Sequence, residues 1–153
     1  MPKVIYNSTK GLYQSAGTGI SLEGNLVLTG SSTVSSTLSV AGSATLSGAL
    51  FGSIDTRADA GVVSLDKITT RITLTGGADR ALTLAAGTEG QIKFLVCTSK
   101  AGAGNGVLTP AGGLADGAST TITFNTTGDS IALVYLGTPA KWAVLSNNGC
   151  AIA

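Results

Sequence analysis

The stretch ISLEGNLVLTGSSTVSSTLSVAGSATLSGALFGSI, residues 20–54, decides the reading of this chain. Its even positions run from Ile20, Leu22, Gly24, Leu26 and Leu28 through Val34, Leu38, Val40, Gly42, Leu46, Gly48 and Leu50 to Ile54. All of them are apolar or small. Most of the odd positions are Ser, Thr or otherwise polar. Successive residues of a strand face opposite ways, so this is the pattern of extended chain with one buried face. A second period lies inside the first. Gly24, Gly30, Ser36, Gly42 and Gly48 stand six apart, each two residues after Leu22, Leu28, Val34, Val40 or Leu46. Glycine repeated at strand positions implies a repeated turn or a repeated close approach of backbones.

Fully extended, this stretch would span about 115 Å at roughly 3.3 Å per residue. A compact domain of this chain length has a radius of gyration of only about 15 Å. The stretch therefore either folds into short strands or leaves the globule as a stem. A single-chain hexapeptide β-helix fits less well, because its small residue directly follows its aliphatic one. Several chains wound together, most economically three, would give each even face a shared core and leave no open edge. The predicted trimer interface is Leu22, Leu28, Val34, Leu38, Val40, Gly42, Leu46, Gly48 and Leu50. Two readings compete with it: a Ser/Thr/Gly linker, which would lack regular aliphatics, and ordinary short hairpins of a sandwich.

The composition agrees with assembly. Of 153 residues, 43% are hydrophobic but only 11% are charged, less than a monomeric soluble surface normally carries. The net charge of +1 points to neither nucleic acid nor an anionic membrane. With 22 glycines and no helical periodicity, the chain reads as all-β. There is no transmembrane-length apolar run. Met1-Pro2-Lys3-Val4-Ile5-Tyr6 is no signal sequence, so synthesis in a host cytoplasm is expected.

Outward from the stem, residues 1–19 read as an arm in which Val4-Ile5-Tyr6 could form a strand, with Gly11, Gly17 and Gly19 as breakers after it. Val4, Ile5, Tyr6, Leu12 and Tyr13 are the candidate docking residues of that arm. A frayed terminus is the plain alternative. At Asp55-Thr56-Arg57-Ala58-Asp59-Ala60-Gly61 charges appear and the alternation stops, which places a module boundary. Residues 55–153 then offer short strands with Gly turns, predicting a β-sandwich or jelly-roll-like domain. Residues 68–74 and 81–84 read as a hairpin. Residues 91–98 form a strand with Ile92, Phe94 and Val96 on one face. Residues 100–106 are a flexible Gly/Ala loop. Residues 107–109, 120–124, 130–136 and 141–145 complete the set. Tyr135 and Trp142 are the expected core anchors.

Catalytic chemistry has little to draw on. The absence of histidine removes Ser-His-Asp and Cys-His nucleophile systems and His-based metal sites. The eight acids mostly sit at predicted turns, where Asp is ordinary turn chemistry. Some pair of them, for example Asp55 with Asp59, could face one another in the fold or across subunits as in a glycosidase. No metal or cofactor is expected. Gly102-Ala103-Gly104-Asn105-Gly106 lacks the Lys-Ser/Thr of a phosphate loop. Cys97, beside Phe94, Leu95 and Val96, reads as a small core hydrophobe, and no disulfide with Cys150 is expected.

The run Leu38-Ser39-Val40-Ala41-Gly42-Ser43-Ala44-Thr45-Leu46-Ser47-Gly48 resembles the V-x-G-x-L-x-V-x-G shafts of bacteriophage fibre proteins. Gly90-Gln91-Ile92-Lys93-Phe94, Val107-Leu108-Thr109-Pro110, Thr121-Ile122-Thr123-Phe124, Gly128-Asp129-Ser130-Ile131 and Trp142-Ala143-Val144-Leu145-Ser146-Asn147-Asn148-Gly149 are similar to the terminal β-domain of small virion proteins of tailed phages. The resemblance implies a non-enzymatic homotrimer on the capsid surface of a virion. It would be a capsid decoration (cement) or head-fibre protein whose partner is the major capsid protein, with no nucleic acid and no membrane. A short tail fibre or tail-tip protein that binds a host receptor or surface glycan is the alternative it leaves open.

Overall fold

A computed structural model of the chain describes residues 4–7, 11–14, 32–34 and 38–153. The chain divides into two units, Met1–Thr45 and Leu46–Ala153. The described residues contain strands and no helix, so none is long and apolar enough to cross a membrane.

In the first unit, β1 (Val4–Asn7) pairs antiparallel with β2 (Gly11–Gln14), with Ile5 opposite Tyr13 and Tyr6 opposite Leu12. Gly11 begins a strand here rather than breaking one.

The second unit is an all-β sandwich of two five-stranded mixed sheets. The first sheet has the order β11-β10-β7-β5-β3 and the second β12-β9-β8-β6-β4. The elements are β3 (Ile54–Ala58), β4 (Gly61–Val63), β5 (Thr69–Leu74), β6 (Arg80–Leu84), β7 (Ile92–Lys100), β8 (Gly106–Pro110), β9 (Ile122–Phe124), β10 (Ser130–Leu136), β11 (Lys141–Asn148) and β12 (Ala151–Ile152). The first six strands alternate between the sheets. β3, β5 and β7 are parallel neighbours in one, and β4, β6 and β8 in the other. The chain thus makes three coils of a flattened roll, each giving one strand to each sheet. β9–β12 then close the roll antiparallel.

Two expectations are corrected. β5 and β6 do not form a hairpin: they lie in different sheets, as do β3 and β4. Nor does the alternation stop at 55–61, because β3 and β4 occupy that segment. Their alternation continues, with Asp55 and Arg57 at the half-buried positions of β3. The registers explain the charges. Asp55 aligns with Thr70, Leu95 and Ile131 across successive strands, and Arg57 aligns with Ile72 and Cys97. The inward positions turn from charged to apolar as the roll is entered from its open end. Inward-pointing charge on an end strand also discourages another chain from pairing there.

The core is one cluster that includes Ile72, Leu74, Leu82, Leu84, Leu95, Leu108, Phe124, Leu133 and Trp142. Trp142 and Tyr135 anchor it as the sequence predicts. Their rings meet edge to face with centroids 5.2 Å apart, and the Trp142 indole N–H donates to the Ala85 carbonyl at 2.9 Å. A buried indole needs such a partner, because an unpaired donor in the core costs about 1–3 kcal/mol.

The turns joining the sheets stack as a ladder held by aspartates. Asp59, at φ 62°, accepts from the Thr75 N–H and hydroxyl, both at 2.7 Å, and from the Gly76 N–H at 3.3 Å. Asp79 accepts from the Asn105 N–H at 2.8 Å, while the Arg80 N–H donates to the Asn105 carbonyl at 2.7 Å. Each turn is therefore tied to the turn of the next coil. The Gly/Ala segment 101–105 is the third of these turns. A Cβ on Gly102 would collide with the Gly76 carbonyl, and one on Gly104 with the Ala78 carbonyl.

Candidate functional surfaces

The described aliphatic side chains between residues 32 and 54 face water. Val34, Leu38, Val40, Leu46 and Leu50 are all exposed, Leu38 and Leu50 by 72% and 73%. Phe51, at an odd position, is 91% exposed. Each such side chain forgoes about 1.5–3 kcal/mol of burial. Residues 32–34 and 38–53 make no strand within the chain. Bends fall at Ala41-Gly42 and Ser47-Gly48, so the six-residue period appears as a repeated bend. Around Gly42 and Gly48 nothing lies within 4 Å of where a Cβ would stand. Among the described residues no backbone stands at these Cβ positions; in the globular unit the Cβ positions of Gly102 and Gly104 do meet backbone. The expected interface residues Leu22 and Leu28 lie outside the described residues. Of the arm residues, Val4, Ile5 and Tyr6 lie on β1, and Leu12 and Tyr13 on β2.

A buried ionic group occupies the open end of the roll. Lys93, on the inward face of β7, is fully buried. Its ammonium donates to the Ser64 carbonyl at 2.9 Å and to the Lys67 carbonyl, pinning the link between β4 and β5. Burial pushes its pKa down to about 8, against the pull of the Asp55 carboxylate; Arg57 adds to the depression. Asp55 accepts from Arg57 Nε at 2.8 Å and from the Ser64 N–H at 3.1 Å. Burial acts to raise its pKa, but these donors outweigh it and hold it below the usual carboxylate range. Asp59 is also held low, chiefly by the Thr75 N–H. Asp55 and Asp59 are thus each committed to donors of their own, which suits ionised structural carboxylates rather than an acid–base pair.

Cys97 and Cys150 are buried free thiols. The Cys97 N–H donates to the Asp129 carbonyl at 2.8 Å, while the Asp129 carboxylate accepts from the Asn125 and Thr126 N–H groups at 2.7 and 2.8 Å. Burial raises both thiol pKa values, that of Cys150 to about 12 with Asp129 and Cys97 adding to the effect. Thiolate is the reactive form. Iodoacetamide at pH 8 is therefore expected to label neither cysteine in the native protein and both in denaturant, as read by intact mass. Fast native labelling would mean that the end of the sandwich opens locally.

The strand β7 carries its hydrophobic residues on both faces. Leu95 and Cys97 join Lys93 on the inside, while Ile92 and Phe94 point outward, each 43% exposed. Ile92, Phe94 and Val96 do share a face, as the alternation predicts, but it is the outer one. A shallow depression of about 280 Å³ lies beside Phe94, lined also by Val96, Ser130, Ala132 and Ser146. Among the described residues no three metal-ligating side chains cluster. No protein-family model matches the chain, and no curated protein matches its sequence.

Proposed function

We propose that this chain is a non-enzymatic virion structural protein, a homotrimeric capsid decoration or head-fibre protein that binds the shell between capsomers and stabilises it. The supporting observation is the run from Leu38 to Ile54, which holds the aliphatic side chains of its even positions in water and forms no strand before Ile54. Three copies sharing that run would bury it. A cement protein binds only the assembled shell and so stabilises that state by mass action. In this reading the arm and stem meet the major capsid protein, and the sandwich faces outward on the virion surface.

Light scattering on the full chain is expected to give about three times its 15.0 kDa mass. Gly42→Val and Gly48→Val are expected to weaken that trimer by at least tenfold while leaving the melting of the sandwich unchanged. Among the described residues nothing stands within 4 Å of either Cβ position, so the expected effect is between chains. The protein is further expected to bind tailed-phage shells lacking decoration at fixed stoichiometry. Unchanged trimers in both variants would remove the stem. Binding to host cells without binding to shells would remove the capsid role. Shell binding that survives deletion of residues 1–19 would remove the arm as the attachment point.

A further inference from the structure

The two outer faces of the sandwich differ. The second sheet presents small side chains, with Ala81, Thr83 and Thr109 exposed and Val62 the exposed large aliphatic. The first sheet presents Ile54, Ile92 and Phe94. By register, Ile54 lies beside Thr69, Thr69 beside Phe94, and Phe94 beside Ala132. Arg71 is the one charge among the outward positions of β3, β5, β7 and β10, and its Nη2 leans laterally onto the Thr56 hydroxyl at 3.3 Å.

We infer that this outer face, centred on Phe94 and Ile54, is a second self-association surface that docks against a neighbouring copy of the same chain. This rests on the shared stem proposed above. Three features of the face select a copy rather than a foreign partner. The exposed Leu46 and Leu50 lead directly into Ile54 at four-residue spacing within one unit of the chain. Copies that share Leu46 and Leu50 therefore bring their Ile54 side chains together. The face carries a single charge, Arg71, so it offers a strongly charged partner little to pair with. It also holds both a projecting ring, Phe94, and a depression beside that ring.

Size decides between a free partner and a tethered one. Four strands about 4.8 Å apart and five residues long cover on the order of 300 Å². A stable complex of independent proteins buries about 800 Å² per partner. The face is too small to hold a free partner tightly. It is large enough for a copy already held nearby by the stem, where the contact becomes intramolecular in effect.

The test uses the full chain with Phe94→Lys, Ala132→Glu on the same face, and Val62→Lys on the opposite sheet as control. Light scattering across a dilution series reads association, and far-UV circular dichroism checks the fold. The face variants are expected to weaken association at least tenfold, and Val62→Lys by less than twofold. Wild-type association in both face variants overturns the proposal; if Gly42→Val still dissociates the protein, the shared stem survives that failure. A wild-type chain that stays monomeric at every concentration overturns both. Dissociation by Phe94→Lys in a protein that binds no shell supports the face while removing the capsid role.

Discussion

Gly104→Ala lowers the melting temperature of the sandwich by roughly 10–20 °C, corresponding to about 3 kcal/mol in a domain of this size. The new methyl would meet the Ala78 carbonyl, which is backbone and cannot swing aside. Relief requires the second and third turns to separate. That strains the bonds holding them together, from the Asn105 N–H to Asp79, from the Arg80 N–H to the Asn105 carbonyl and from the Gly104 N–H to the Gly76 carbonyl. Gly77→Ala is the matched control. It lies in the turn that Gly104 packs against, yet nothing stands within 4 Å of its Cβ direction. Its cost is expected within about 0.5 kcal/mol. Thermal melts of the two variants decide the matter; equal melting temperatures would mean that the turns are not stacked as described.

Stability is expected to rise between pH 8 and about pH 10, and Lys93→Met is expected to abolish that rise. In the folded chain Lys93 titrates at about 8, while in the unfolded chain it titrates near the ordinary lysine value of 10.5. Between these values the unfolded chain binds the proton and the folded chain does not, so raising the pH favours folding. Below pH 8 both states are charged and the burial penalty is fully present. After allowance for solvent reaching the open end of the roll, the gain is on the order of 1–2 kcal/mol. Urea denaturation of both proteins at pH 7, 8, 9 and 10 measures it as a difference, in which other titrating groups cancel. Parallel curves for the two proteins would show that Lys93 keeps an ordinary pKa and is not buried with its charge.

The even-position aliphatics of the stem are recognisable from spacing alone. In the structure their described members are exposed. The ionic cluster was less legible. Lys93 stands between Ile92 and Phe94 in the sequence, and nothing in its neighbours reveals that Ser64 and Lys67 supply carbonyls across the roll.

Alternation and glycine placement by themselves determined that the chain is all-β, where β5–β10 lie within a residue or two and where β11 begins, and that Tyr135 and Trp142 sit in the core. Both signals are local: a strand alternates wherever it goes, and a turn needs glycine whatever it joins. Only the tertiary structure decided the partners and the faces. A tight turn between two strands can return the chain beside itself as a hairpin or carry it to the opposite sheet as an arch, and the same residues serve both. The burial available to a third coil chose the arch for β5 and β6. Likewise, a two-residue period says that Phe94 and Lys93 face opposite ways, but not which of them is inside. Two carbonyls able to satisfy a buried ammonium, and a sheet face left open beside Ile54, settled that in favour of the lysine.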